Sequence, residues 1–185
     1  MSAIKPREFQ LKSGEKIIVR GAVPEDAEAL LAFGNKVLTD ATEFFVTEPD
    51  EVPRTVEEEG KFLQENLDAQ GNIALVAESQ GALVGFLNFK NHNRRRQKHR
   101  GAFGMSVGKE WRGKGVGSAL IETLLKWAEE SPLIEKVCLG VFPENERGMA
   151  LYKKFGFSEE GRLVKEVKMP DGTYVDTILM YKFVK

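Results

Sequence analysis

Residues 103–130 read FGMSVGKEWRGKGVGSALIETLLKWAEE and predict a β-strand, a glycine-rich turn and a long amphipathic helix. Alternate glycines in the turn allow close backbone approach and positive φ, and the following helix directs unpaired N–H groups at the turn. Arg112 and Lys114 add positive charge, while no acid occupies the first helical turn before Glu122. These features predict a phosphate or pyrophosphate site. Its seven residues are Arg112, Gly113, Lys114, Gly115, Val116, Gly117 and Ser118.

Three kinds of phosphate-binding loop place glycines at the start of a helix, and they differ in the spacing of those glycines. A P-loop requires G-x-x-x-x-G-K-[ST], and Gly108–Lys114 supplies all but the last position, where Gly115 replaces the hydroxyl that binds magnesium. A dinucleotide fingerprint requires G-x-G-x-x-G, whereas these glycines follow G-x-G-x-G and the first acid after the next apolar strand is Glu144. The third pattern, Arg-x-x-Gly-x-Gly opening a helix, is filled by Arg112, Gly115 and Gly117. It resembles the acetyl-CoA signature of the GNAT superfamily of N-acyltransferases.

Length and composition limit the class of protein. A chain of 185 residues with 42% hydrophobic and 30% charged residues is typical of one globular domain. We expect that domain to span residues 1–185, with a core from about 16 to 183. No apolar run is long enough for a membrane span, and the first residues lack a signal-peptide core, so we expect a cytoplasmic protein. The formal net charge of −1 disfavours a general nucleic-acid binder.

Cysteine and histidine, which commonly bind metals, are sparse in this chain. The single cysteine, Cys138, lies in an apolar run that predicts a buried strand. The two histidines, His92 and His99, are separated from each other and from other ligand types. We therefore expect no metal site.

Apolar periodicity predicts the order of the structural elements. The expected helices lie near residues 24–38, 55–69, 116–130 and 146–155. The expected strands comprise two short pieces within 8–20, a meander at 73–78, 82–89 and 99–107, a strand at 136–142, and a closing hairpin at 162–169 and 173–184. This order predicts an α/β (α+β) fold: a mixed sheet flanked by helices, with one βαβ crossover at the phosphate turn.

A second motif follows the crossover, in the stretch NERGMALYKKFGF at residues 145–157. In GNAT enzymes the Arg-x-x-Gly-x-Gly helix is followed by a strand, an Asn, a short helix with a Tyr, and a Gly-Phe pair. Here these are Asn145, Tyr152 and Gly156-Phe157. The chain therefore resembles a single-domain, bacterial-type GNAT N-acetyltransferase over nearly its whole length. The resemblance implies a mostly antiparallel sheet, acetyl-CoA as cosubstrate, direct attack of a primary amine on it, and a homodimer.

The resemblance also assigns residue roles. The backbone of Met105, Ser106 and Val107 would pair with the pantetheine arm, because this strand splays from its neighbour in GNAT enzymes. Asn145 would contact the cofactor, and Tyr152 would be the general acid that protonates the leaving thiolate. Each of the last two residues has a structural alternative: Asn145 as a helix cap, and Tyr152 as a core residue of an amphipathic helix.

The general base is the uncertain member of the site. An alkylamine has a pKa near 10.4, so the acceptor must lose a proton before it attacks. Many relatives place a Glu on the strand before the phosphate turn, at the position of Ala102 here. The remaining base candidates are Glu43, Glu48 and His99.

Two charged stretches bear on the acceptor and on other functions. Between Asp40 and Glu59 there are eight acids and one base, Arg54, which favours a cationic amine if this segment borders the acceptor site. The basic run Arg94–Arg100 predicts either an exposed loop or a contact with RNA. Small-molecule amines and protein N-termini both stay open as acceptors. The alternatives to an enzyme are a non-catalytic acyl-CoA sensor, an RNA- or ribosome-associated protein using Arg94–Arg96, and a P-loop hydrolase.

Overall fold

The computed structural model describes residues 4–40, 46–47 and 55–185. The helices are α1 (Ala27–Asp40), α2 (Val56–Asp68), α3 (Val116–Glu130) and α4 (Glu146–Lys154). The strands are β1 (Arg7–Gln10), β2 (Lys16–Gly21), β3 (Ile73–Ser79), β4 (Ala82–Asn91), β5 (Arg100–Val107), β6 (Lys136–Val141), β7 (Ser158–Lys168) and β8 (Tyr174–Phe183).

The strands form one mixed sheet in the order β1-β2-β3-β4-β5-β6-β8-β7. Neighbouring strands are antiparallel except β5 and β6, which are parallel and joined by α3. A parallel pair needs a crossover because the chain must return to the same end of the sheet. The predicted fold class is confirmed: a mostly antiparallel sheet flanked by helices, with a single βαβ crossover within the described ranges.

Helices cover both faces of the sheet. The larger core lies under α3, where Leu120, Ile121 and Leu124 are fully buried against inward residues of the central strands. Tyr152 of α4 belongs to the same core, so α3 and α4 share one side. A second, smaller core joins α1 and α2 to the other face through Leu63 and its neighbours. Within the described ranges, part of the α1/α2 side of the sheet is exposed beside β5, at Ala102 and Gly104.

The ends of α2 show how well its boundaries could be predicted. Thr55 caps the helix: its hydroxyl accepts the Glu58 N–H at 3.2 Å, and the Glu58 carboxylate accepts the Thr55 N–H at 2.9 Å. Helical periodicity predicts that Val56 and Leu67 face inward together with Leu63. In the structure Val56 and Leu67 are 52% and 43% exposed, whereas Leu63 is fully buried. The short α2 contacts the sheet along a narrow stripe, which leaves the outer apolar residues in solvent.

The final hairpin is longer than predicted. Strand β7 begins at Ser158, four residues before the predicted start, and most of its residues are exposed. The segment Ser158–Gly161 lacks apolar alternation, and it is extended because it pairs with β8. The predicted polar linker near residues 39–54 lies largely outside the described residues. None of the described helices has the length and apolarity needed to cross a membrane.

Candidate functional site

Strands β5 and β6 separate before they end. Their parallel pairing covers Arg100 to Ala102 on β5 and ends at the pair Ala102–Cys138, although β6 continues to Val141. Strand β4 remains paired with β5 as far as Val107. The second half of β5 therefore has a ladder partner on one side and a gap on the other.

The backbone groups that face this gap follow from the antiparallel alternation. The His92 N–H donates to the Arg100 carbonyl at 3.2 Å, and the Gly108 N–H donates to the Val84 carbonyl at 3.1 Å. Even-numbered residues of β5 thus bond to β4, and odd-numbered ones direct N–H and C=O the other way. Met105 and Val107 are the odd residues beyond the end of the β6 pairing. They lie where the sequence predicts the pantetheine strand.

The glycine-rich turn continues from the end of β5 to the start of α3. Gly113 and Gly115 have φ of +80° and +118°, a region that side chains with a Cβ avoid. Helix α3 begins at Val116, and its first intrahelical bond runs from the Ala119 N–H to the Gly115 carbonyl at 3.0 Å. The preceding N–H groups lack helical partners, and no acid occupies the first turn. This end of α3 therefore suits an anion.

The two cations of the turn are engaged by protein groups. The Arg112 Nε donates to the Val107 carbonyl at 3.1 Å, which ties the turn to the end of β5. The Lys114 ammonium lies 3.2 Å from a Glu15 oxygen and 4.9 Å from the centre of the Trp111 ring. Their positive charge is thus partly committed to holding the turn, which the sequence pattern alone did not predict.

Helix α4 brings Asn145 and Tyr152 beside the gap. The Asn145 side chain caps α4 by accepting the Gly148 N–H at 2.9 Å, so its structural alternative is realised. Tyr152 is buried, with its ring in edge contact with Phe103 and Phe157. Burial raises the pKa of Tyr152 to about 12, because the phenolate would lose its hydration. The hydroxyl consequently keeps its proton at neutral pH and can donate it.

A cavity of about 490 Å³ joins these parts. The predicted residues that line it are Met105, Ser106, Val107, Arg112, Gly113, Gly117, Asn145 and Tyr152. The predicted residues outside its lining are Lys114, Gly115, Val116 and Ser118, of which Val116 is a core residue. The lining residues that sequence reasoning missed are Trp111, Glu144, Glu146, Arg147, Gly148 and Leu151.

Arg147 is the missed residue with the clearest chemical meaning. A Cβ atom at position 113 would lie 2.5 Å from its Nη2, so the guanidinium rests directly on the glycine turn. Arg147 is exposed and lines the cavity, next to Glu144 and Glu146 on the same segment. The signal in the sequence was its place two residues after Asn145, at the start of a helix that faces the turn.

Family comparison agrees with this geometry. The acetyltransferase (GNAT) family matches residues 36–157, which include the split strand, the turn, α3 and α4. This chain belongs to the GNAT family. It is accordingly an N-acetyltransferase, and acetyl-CoA is the ligand that its glycine turn and split strand suit.

Individual GNAT relatives extend the match. The chain is 35% identical to the L-amino acid N-acetyltransferase AaaT of Escherichia coli over 63% of this chain and 72% of that protein. It is 33% identical to the spermidine N(1)-acetyltransferase of Vibrio cholerae over 58% of this chain and 60% of that protein. A GNAT acetyltransferase structure from Streptococcus pneumoniae superposes with a TM-score of 0.87 at 32% identity, covering 90% and 99% of the two chains. A Salmonella typhimurium acetyltransferase with bound acetyl-CoA shares the fold, with a TM-score of 0.80, 17% identity, and coverage of 91% and 94%.

The base candidates of this GNAT protein are less well placed. His99 immediately precedes β5, at the opposite end of the strand from the turn, and its carbonyl accepts the N–H groups of Glu135 and Lys136 at 2.8 and 3.1 Å. Glu43 and Glu48 lie outside the described residues. Cys138 is buried in β6, and burial raises the pKa of its thiol, which makes it a poor nucleophile at neutral pH.

Proposed function

We propose that this protein transfers the acetyl group of acetyl-CoA to a primary amine by direct attack. The observation that carries the proposal is the continuous path from the gap in the sheet to the glycine turn, with the Tyr152 phenol beside it. A thioester in the gap would be close to the acid and open to an amine.

Backbone groups would do most of the binding. The free N–H groups at the start of α3 and in the turn would hold the diphosphate of acetyl-CoA, because helix N-termini attract anions. The outward-facing N–H and C=O of Met105 would pair with the amides of the pantetheine arm, as a further strand would. Arg147 would supply the positive charge that Arg112 and Lys114 have partly committed elsewhere.

The chemical step moves one proton, in net terms, from the amine nitrogen to the CoA sulfur. The neutral amine attacks the thioester carbonyl, the C–N bond forms and the C–S bond breaks, and the proton lost by the amine nitrogen ends on the CoA sulfur. Tyr152 donates its hydroxyl hydrogen to the sulfur as negative charge develops there, and regains a proton from the amine through solvent. A backbone N–H of β5 would stabilise the carbonyl oxygen during the attack.

The acceptor class follows only coarsely from the relatives. One is named for an L-amino acid and another for spermidine, so a primary amine is common to them. Protein N-termini also remain candidates. We further propose that the protein acts in the cytoplasm and forms a homodimer.

Release of free thiol from acetyl-CoA tests the proposed function. The wild type would be compared with Tyr152→Phe and Gly115→Glu against a panel of amino acids, polyamines and N-terminal peptides. We expect Tyr152→Phe to lower kcat about 10- to 100-fold, because the leaving thiolate loses its donor. Gly115→Glu should abolish acetyl-CoA binding, since it adds strain and negative charge at the turn.

Gly172→Glu is the matched control for Gly115→Glu. Gly172 also has positive φ, +85°, but it lies in the turn between β7 and β8, so the same change there should preserve turnover. Tight acetyl-CoA binding without thiol release on any amine would indicate a sensor instead. Wild-type protein that does not bind acetyl-CoA would overturn the proposal.

A further inference from the structure

Among the described residues, the α1/α2 side of the sheet has an open floor beside the gap, formed by Ala102 and Gly104 of β5. Side chains of alternate residues on β4 point to this side: Phe86 packs into the α1/α2 core, and the Lys90 ammonium lies 4.8 Å from the centre of the Phe62 ring on α2. Opposite Lys90 on β5 is Ala102, and the next residue on this face is Gly104; both are exposed. Among the described residues, a Cβ atom at Gly104 would meet no atom within 4 Å apart from those of its chain neighbours. An acceptor can therefore rest on this floor and reach the gap.

Positive charge without a carboxylate partner borders this floor. Arg100 belongs to the same alternate set on β5, is half-buried, and its buried Nε has no hydrogen-bond partner among the described residues. Within those residues no carboxylate forms an ion pair with Arg100 or Lys90. Lys136 of β6 differs, because it pairs with Glu160 and lies over the Tyr181 ring. A guanidinium whose Nε is buried without a hydrogen-bond partner favours a bound anion.

We infer that Arg100 and Lys90 bind a carboxylate of the acceptor, which makes the substrate an amino-acid-sized amine rather than a polyamine. This inference rests on the proposed function. Arg100 and Gly104 are four residues apart, which is roughly 13 Å along the strand, and the exposed Ala102 lies between them on the same face. A small molecule with its amine over Gly104 would direct its carboxylate toward the two cations.

The acidic stretch that favoured a cationic amine does not oppose this inference in the described residues. Glu57, Glu58 and Glu59 occupy the first turn of α2, where they complement the helix dipole, and Glu58 also bonds to the Thr55 N–H. The start of the helix thus accounts for the charges of Glu57 and Glu58, whereas Glu59 is buried and has a partner of its own.

Matched substrates test the inference directly. Thiol release from acetyl-CoA would be measured with an L-amino acid, its C-terminal amide, and spermidine, all at one pH and salt concentration. We expect kcat/KM to be at least tenfold higher for the acid than for the amide or for spermidine. The amide has the more readily deprotonated amine, so the difference in amine basicity works against this result.

Charge-removing variants assign the preference to residues. Arg100→Gln should bring the acid-to-amide ratio close to one, Lys90→Gln should lower it partly, and Arg100→Lys should restore part of it. Arg94→Gln removes an equal charge from the exposed basic loop and should leave the ratio unchanged. Acetyl-CoA binding by each variant reports whether it is folded.

An acid-to-amide ratio near one in the wild type, or a ratio that is unchanged in Arg100→Gln, would overturn the inference. Thiol release with spermidine alone would also overturn it, whereas no release with any amine would overturn the proposed function itself.

Discussion

At the residue scale, the protonation of Tyr152 predicts the pH profile. Its pKa is raised to about 12 by burial, so the donor form persists well beyond the pH at which an exposed phenol ionises. The acceptor amine becomes more reactive as pH rises toward its own pKa, near 10.4 for an alkylamine. We therefore expect kcat/KM for the amine to rise from pH 7 and to show no decline up to pH about 10.5. Initial rates of thiol release across this range would check it, and a decline centred near pH 10 would indicate an ordinary phenol.

Arg147 provides a second prediction at this scale. Its guanidinium rests on Gly113 in the cavity, whereas Lys114 pairs with Glu15. Charge-assisted bonds to phosphate are strong, so Arg147→Gln should weaken acetyl-CoA binding about tenfold. Lys114→Gln is the matched control and should weaken it less than threefold. Isothermal titration at fixed ionic strength would measure both, and a larger effect of the Lys114 variant would show that the Lys114–Glu15 pair opens for the phosphates.

At the element scale, the open floor of β5 predicts that a side chain added there would block the amine without affecting acetyl-CoA binding. Gly104→Val adds a side chain where no described atom outside the neighbouring residues lies within 4 Å of the Cβ position. The φ of Gly104 is outside the left-handed region, so the strand should tolerate the change. The new side chain would occupy the floor that the acceptor needs. We expect kcat/KM for the amine to fall at least tenfold while the dissociation constant of acetyl-CoA changes less than twofold. Amine saturation kinetics and acetyl-CoA titration separate these two effects.

Gly161→Val is the control for that block. Gly161 lies in β7, is exposed, and also has open space around a Cβ atom without positive φ. Strand β8 lies between Gly161 and β6, so the same added volume there does not reach β5 and should leave the kinetics unchanged. Equal losses in both variants would mean that Gly104→Val acts through general destabilisation, and the floor would then have no special role.

The elements that could be predicted are those whose signal is local. Helix α3 has its apolar residues at helical spacing, and Leu120, Ile121 and Leu124 are fully buried as expected. The Thr55–Glu58 capping box, a motif of four consecutive residues, likewise marks the start of α2. The first residues of β7 carry no such pattern and are a strand only because β8 lies beside them. Pairing imposed by a distant strand is invisible to local periodicity.

At the scale of the whole molecule, the sequence could predict the kind of site but not which protein groups its charged side chains contact. The glycine turn and Tyr152 were found because their motifs are contiguous in the sequence. The Lys114–Glu15 pair joins residues 99 apart, so the commitment of that lysine could not be foreseen. The floor at Ala102 and Gly104, with Lys90 and Arg100 at one end of it, likewise depends on the pairing of β4 with β5 and on the divergence of β6. Long-range packing therefore decided which charges remain available to ligands.

The exposed apolar residues of the β7–β8 hairpin predict the surface through which two copies of the chain would associate. Pairing of β8 with β6 ends at Ile178, so beyond that residue β7 and β8 pair only with each other in the part of the chain that the structure describes. Val164 and Tyr174 in this arm are 71% and 53% exposed, and an isolated two-stranded hairpin is marginally stable in water. A second copy packed on this arm would cover both residues and stabilise it.

We therefore expect a dimer mass by light scattering at micromolar concentration, and a monomer for Val164→Glu, because a buried unpaired carboxylate would oppose association. Val56→Glu places the same change at an exposed valine in the first turn of α2, where an acid suits the helix dipole, so it should leave the dimer intact. A monomeric wild type would contradict the homodimer, and a dimeric Val164→Glu would place the interface on another surface.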